Sequence, residues 1–440
     1  MRDRRPRCKR LHFFSSSFSE DQLRTWITVP ASSADEHLNG SYLGFVVVRP
    51  LPEAVIGRTV LATYQRADSR QYATRSYDVN LFGLKLSLDS LAYQQQDNVV
   101  AACATVALWT AFHKTSKLFD HPLLRPAEIT AAANRVQGSG RAMPSRGLRA
   151  DQIFAAIRRV GLEPVAETVK ESTALMSLLK GYLDFGLPVI LFGLLPSQGF
   201  EAHAIAVSGY ALGDQPPDFT ERVIGGVNSE GRFIERIYAH DDNIGPFARC
   251  FSVKNPHRGA LAAPPAVRNM PYALEPRDPS GLAQSLFIPY MAVVPVYGKV
   301  RITHSEAHIW VARVQKVVAD AGINVDDLRW SLSLTTTQAY KALLRDKFPS
   351  NPKTAEILLA SQPRFMWRAI ARRGDDRVVE CLIDATGVSR SCPLLAWMWH
   401  DETARSTYQS GIGRIARSVV ANKYSPKFAE IVFSTMPAVA

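Results

Sequence analysis

LPVILFGLLPSQGFEAHAIAVSGY, residues 187–210, decides the fold class. Two apolar, β-rich runs flank a turn signal of Pro, Ser, Gln and Gly, the pattern of neighbouring strands joined by a short connection. Upstream the period changes, and helices are expected over 99–114, 126–135, 149–160 and 172–185. Downstream, RVIGGVN (222–228) and ERIYAHD (235–241) read as further short strands. Helices first and an antiparallel sheet second make an α+β unit, expected over residues 88–255.

Outward from this unit the composition changes twice. YLGFVVVRPLP (42–52) and AVIGRTVLATY (54–64) predict strands in a strand-rich region over 23–87. Residues 256–284 are dense in Pro and polar turn formers and read as a linker. A second α+β domain of unknown role is expected over 285–440. Its strand candidates are YMAVVPVYGKVRI (290–302), FMWRAIARR (365–373) and VVECLIDAT (378–386), around a helix opened by Ser305.

The chain has 440 residues, 46% of them hydrophobic and 21% charged, with a net charge of +12. That balance excludes a disordered or fibrous chain, and the longest apolar run, Leu187 to Pro196, is too short to span a bilayer. The first ten residues, MRDRRPRCKR, supply +5 of the charge. Residues 1–22 are therefore expected to be a basic flexible tail, suited to an acidic partner. The remaining charge forms no sustained stripe and no nucleic-acid module, which argues against nucleic acid as the partner. No apolar signal region follows the tail, so a cytoplasmic protein is expected. Five scattered cysteines without metal spacing argue against a disulfide framework or a zinc site. His304 and His308 lack an evident third ligand, and the glycines of 136–147 lack the context of a phosphate loop. No cofactor is expected.

Three elements of the middle unit carry chemistry. In QQQDNVVAACATVALWTAFHK (94–114) a polar stretch runs into a helix, with Cys103 near its start. A thiol there faces unpaired N–H groups and the positive end of the helix dipole, which stabilise negative charge. His203 begins the strand of EAHAIAVSGY. Asp241, Asp242 and Asn243 end a strand in IYAHDDNIGP (237–246). A thiol, an imidazole and a carboxylate are the parts of an activated nucleophile: the His takes the thiol proton and the Asp orients the ring. Alternation along a strand predicts that only one carboxylate faces the ring, with Asp241 preferred over Asp242.

The region from about Tyr93 to Cys250 resembles the papain-like cysteine peptidase superfamily, and within it the bacterial leader peptidases that trim double-glycine peptides. The order Cys, His, Asp agrees. SRGLRADQIFAAIRRVGLEPV (145–165), YLDFGLPVILF (182–192) and HAIAVSGY (203–210) are similar to the family's supporting segments. The resemblance implies a papain-like unit, with a helical part carrying the Cys and an antiparallel sheet carrying His and Asp. It also implies a thiol hydrolase acting on peptide or isopeptide bonds of a protein substrate, with Gln96 and the Cys103 N–H as the oxyanion donors. Here Ala104 follows Cys103 where the family has Gly, and Asp97 stands at the six-residue spacing, with Gln96 and Gln95 further back. Acyl transfer by the same residues, or a degenerate binding protein, are the competing expectations.

Overall fold

The computed structural model describes residues 7–28, 33–51, 54–64, 69–95, 103–136, 148–217, 220–221, 224–278, 280–347, 352–387 and 392–434. In chain order the N-terminal part holds β1 (Lys9–Phe14), α1 (Glu20–Thr28), α2 (Ser33–Ser41), β2 (Tyr42–Val48), β3 (Ile56–Leu61), β4 (Arg70–Tyr72), β5 (Arg75–Leu81) and β6 (Leu84–Ser90). Next come α3 (Cys103–Phe119), α4 (Pro126–Ala133), α5 (Ala150–Arg159), β7 (Leu162–Thr168) and α6 (Ser172–Leu183). Strands then dominate: β8 (Val189–Leu195), β9 (Glu201–Leu212), β10 (Ile234–Asp241), β11 (Gly245–Lys254), the short α7 (Pro265–Arg268), β12 (Tyr272–Arg277) and β13 (Ile288–Tyr297). The remainder is α8 (His304–Asp320), β14 (Arg329–Thr336), α9 (Thr337–Lys347), α10 (Pro352–Leu359), β15 (Phe365–Arg373), β16 (Asp376–Asp384), β17 (Leu394–Trp399), α11 (Glu402–Ile412), α12 (Arg417–Lys423) and α13 (Pro426–Phe433). The protein is α+β, and no helix among the described residues is long and apolar enough to cross a membrane.

Two compact units are interleaved along the chain. The first comprises 1–168, 186–212 and 236–296; the second comprises 169–185, 213–235 and 297–440.

The first unit is organised on one sheet of strand order β12-β11-β10-β9-β8-β13-β7, with β4 also paired to β9. The pairs β8–β9, β8–β13, β10–β11, β11–β12 and β4–β9 run antiparallel. The interior of β9 is buried from His203 to Ala211, as expected for a central strand covered on both faces. Helix α3 lies on β8 and β9 and is buried on all sides from Ala104 to His113, with Leu108 and Phe112 wholly buried. Each such side chain contributes about 1.5–3 kcal/mol by leaving water. Gly209 allows the close approach of β4: a side-chain carbon there would come within 2.5 Å of the Gln71 carbonyl. A separate hairpin, β5–β6, turns at Phe82 and Gly83, both at positive φ, and alternates buried and exposed residues on both strands.

Four expectations are corrected. The described part of the basic tail is not flexible coil but β1, paired to β2 and held by aromatic contacts. The His12 ring lies on Tyr42, and the Arg10 guanidinium sits 4.8 Å over the Phe45 ring. The expected linker 256–284 instead supplies α7 and the edge strand β12. Its prolines and turn formers serve turns organised by the buried Asn255 side chain, which donates to the Val267 and Met270 carbonyls. The boundary expected at 285 falls inside the first unit, because β13 inserts between β8 and β7. The described part of RVIGGVN is a tight turn, with Gly225 and Gly226 at positive φ and a single Ile224–Val227 bridge, rather than a strand.

The second unit is built on the antiparallel meander β14-β15-β16-β17, with Trp330, Trp367 and Trp397 fully buried. Its helix α8 is capped two residues earlier than expected. Thr303, not Ser305, is the cap: Thr303 Oγ1 accepts from the Glu306 N–H at 3.2 Å, and the Thr303 N–H donates to Glu306 Oε2 at 2.8 Å. His304 is a core residue whose ring meets Tyr182 and Trp367. On the sheet, Arg368 donates to both oxygens of Glu380 at 2.8 and 2.7 Å, and Glu380 is 1% exposed. Burial pushes that carboxyl up, but bonds from His400 and Arg368 hold it down at about 2. Arg368→Leu leaves the buried Glu380 charge with only the longer His400 contact at 3.4 Å and is expected to destabilise the protein by about 3–5 kcal/mol in urea unfolding. A loss below about 1 kcal/mol would show that Glu380 does not depend on Arg368 as its counter-charge.

Candidate functional site

Cys103 is the first residue of α3 and is half-buried, its backbone set by a helix whose remaining turns are anchored in the core of the first unit. His203 enters from β9, paired in register with Gly193 of β8. The absence of a side chain at Gly193 makes room for the Phe287 ring, which would lie 2.5 Å from a Cβ there. Phe287 meets the His203 imidazole edge-on, with ring centroids 6.0 Å apart, and so limits its rotation.

His203 Nε2 donates to Asp241 Oδ1 at 3.1 Å. The same oxygen accepts the Asn243 N–H at 2.9 Å, an Asx-type turn that fixes the carboxylate at the end of β10. Asp242 Oδ1 stands 3.5 Å from the same ring nitrogen. The expectation that only one carboxylate faces the ring is therefore corrected. The pairing of β10 with β11 shifts register between Ala239 and Asp241, and Asp242 lies beyond the strand end, where alternation no longer applies. The side chains of His203, Asp241 and Asp242 are 4%, 3% and 2% exposed, so their charges act with little solvent screening.

Burial alone would lower the proton affinity of His203. The hydrogen bond to Asp241, the interaction with the Cys103 thiol and the charges of Asp241 and Asp242 override it and push the imidazole up to about 11. The ring is thus an imidazolium near neutral pH. With Nε2 committed to Asp241, Nδ1 is the nitrogen left for the thiol. Asp242 is also raised, but here burial is the main cause: with the neighbouring Asp241 charge it lifts the carboxyl to about 6 against the pull of His203.

Cys103, His203, Asp241 and Asp242 are thus gathered at one place in the first unit. Gln96 lies outside the described residues. Gln95 is tied to β3, its side-chain oxygen accepting from the Ile56 N–H at 3.3 Å. Sequence reasoning missed three neighbours. Tyr290 on β13 is raised by burial and by the adjacent Cys103, Phe287 braces His203, and the Tyr93 hydroxyl donates to the Asp242 carbonyl at 3.5 Å. Phe287 and Tyr290 fell on the far side of the boundary expected at 285, and no local signal links them to the site.

Compared with known proteins, the chain matches no protein-family model and no curated protein sequence.

Proposed function

We propose that the protein is a papain-like thiol hydrolase that cleaves peptide or isopeptide bonds through a covalent Cys103 acyl-enzyme. The observation that carries this reading is the His203 imidazole held between the Asp241 carboxylate at 3.1 Å and the Cys103 thiol at the start of α3. In the mechanism we propose, His203 takes the Cys103 proton and the pair reacts as thiolate and imidazolium. The Cys103 sulfur attacks the substrate carbonyl, and the His203 Nδ1 proton passes to the leaving amine. Acylation removes the Cys103 interaction that helped hold the ring proton, which eases that transfer. Water then attacks the acyl-enzyme, with neutral His203 taking its proton and the thiolate leaving. Asp241 is the positioning residue, fixing the ring and its tautomer. The Cys103 N–H, with Gln96 as the resemblance implies, would receive the oxyanion.

The test compares all five thiols in the folded chain. Cys250, Cys381 and Cys392 are buried and burial pushes their thiols up, whereas Cys8 is exposed. Iodoacetamide near pH 7 is expected to label Cys103 at least about 10-fold faster than exposed Cys8. Labelling of Cys103 no faster than Cys8 would sink the nucleophile and favour a non-catalytic binding protein.

A further inference from the structure

The thiol mechanism uses the charge of Asp242 but not its hydrogen-bonding capacity. Its side chain is 2% exposed, and neither carboxylate oxygen has a hydrogen-bond partner among the described residues. The N–H groups of Asp242 and Asn243 lie close enough to act on its charge, yet neither closes a hydrogen bond to it. A buried carboxylate without a hydrogen bond is costly, and the imidazolium 3.5 Å from one of its oxygens offsets only part of that cost.

What it faces is a set of donors. His203 Nε2 and one oxygen from each of Asp241 and Asp242 all lie within 4.8 Å of one another. From the nitrogen, the two oxygens stand at 3.1 and 3.5 Å. Neighbouring ligands around a tetrahedral zinc ion, with bonds of about 2.0–2.1 Å, are separated by roughly 3.3 Å. The two distances bracket that value.

We infer that His203, Asp241 and Asp242 form a site for one zinc-type divalent cation, with a fourth position open. One imidazole and two carboxylates suit zinc among divalent ions. Two anionic ligands neutralise the ion in a buried setting, and calcium or magnesium would demand more oxygens. The consequence rests on the thiol hydrolase reading. Nε2 cannot both donate a proton to Asp241 and give its lone pair to a cation. An ion seated there displaces that proton, withdraws His203 from its exchange with Cys103 and switches the hydrolase off.

The experiment titrates the purified full chain with zinc chloride by calorimetry and records the zinc K-edge absorption spectrum of the wild-type complex. One ion per chain is expected, in a shell of nitrogen and oxygen with a single imidazole and no sulfur. Asp242→Asn keeps the shape and removes the ligand charge, and it is expected to weaken binding at least about 100-fold. Cys103→Ala is expected to bind within about threefold of wild type. No binding, a shell containing sulfur or several imidazoles, or undiminished binding by Asp242→Asn would overturn the inference. If Asp242→Asn fails to fold, as its melting curve would show, the wild-type spectrum alone decides. Failure of the hydrolase reading is seen separately, as an unreactive Cys103 in the zinc-free chain, and leaves the binding result untouched.

Discussion

Cys103→Ala is expected to lower turnover of a peptide substrate by about 10⁴-fold or more while the melting temperature stays within a few degrees of wild type. The thiol is half-buried at the first residue of α3, so truncating it removes little packing. Loss of the folded state instead would make Cys103 a core residue. His203→Ala should cost about as much, and the double variant little more, because the two groups act as one unit. Asp241→Ala should lower the acylation rate by about 10²–10⁴-fold with substrate binding nearly intact, since it removes the acceptor that orients the ring. Asp242→Ala separates orientation from charge. It leaves the 3.1 Å bond in place but removes a negative neighbour, so the imidazolium should give up its proton at lower pH. A larger loss of acylation rate in Asp242→Ala than in Asp241→Ala would transfer the positioning role one residue along the chain.

The second large effect is acid sensitivity, carried by histidines buried in neutral form. Burial, helped by the Arg58 and Arg75 charges, pushes His113 from 6.5 down to about 3, and neither ring nitrogen has a hydrogen-bond partner among the described residues. In the second unit, burial holds His304 at about 3 and His308 at about 4. The unfolded chain binds these protons from about pH 6.5 downward, and the folded chain refuses them until about pH 3–4. Their stabilisation is therefore complete above pH 6.5 and falls away as pH drops through that window, by up to about 1.4 kcal/mol per pH unit for each ring. His113→Phe keeps a ring beside Trp109, 4.4 Å away and edge-on, and removes one titrating group. Its urea midpoint should depend less steeply on pH between 4 and 6, by close to one proton's worth. An unchanged slope would show that His113 is protonated in the folded chain.

The residues gathered at the site were legible in the sequence because each sits where local chemistry announces it. Cys103 lies where a polar stretch turns into a helix, His203 opens an apolar strand, and Asp241 closes one. Asp242 was misread because the two-residue period of a strand was carried past the strand's end. The Thr303 and Glu306 capping box was also present in the sequence, and Ser305 obscured it. The alternation of RSYDVNL (75–81) and LKLSLDS (84–90) likewise marks the β5–β6 hairpin. What could not be read was long-range pairing. The insertion of β13 between β8 and β7 has no local signature, and the prolines of 256–284 mimic a linker although they lead into a sheet strand.

Interleaving of the two units has a consequence for synthesis. Helix α6 is buried along almost its whole length within the second unit, where it lies on β14 and α8 and where Tyr182 meets Trp367. Those partners are encoded some 120 to 180 residues downstream of Leu183. The turn at Glu230–Phe233 reaches α6 early, but at translation rates of about 5–20 residues per second the helix waits roughly 6–40 s for β14, α8 and Trp367. During that interval an apolar helix stands partly uncovered between two stretches of the first unit that can already pair. Expression of the chain should therefore depend on chaperone supply more than its final stability requires, and a fragment ending at residue 296 should be recovered mainly as aggregate rather than as a free first unit.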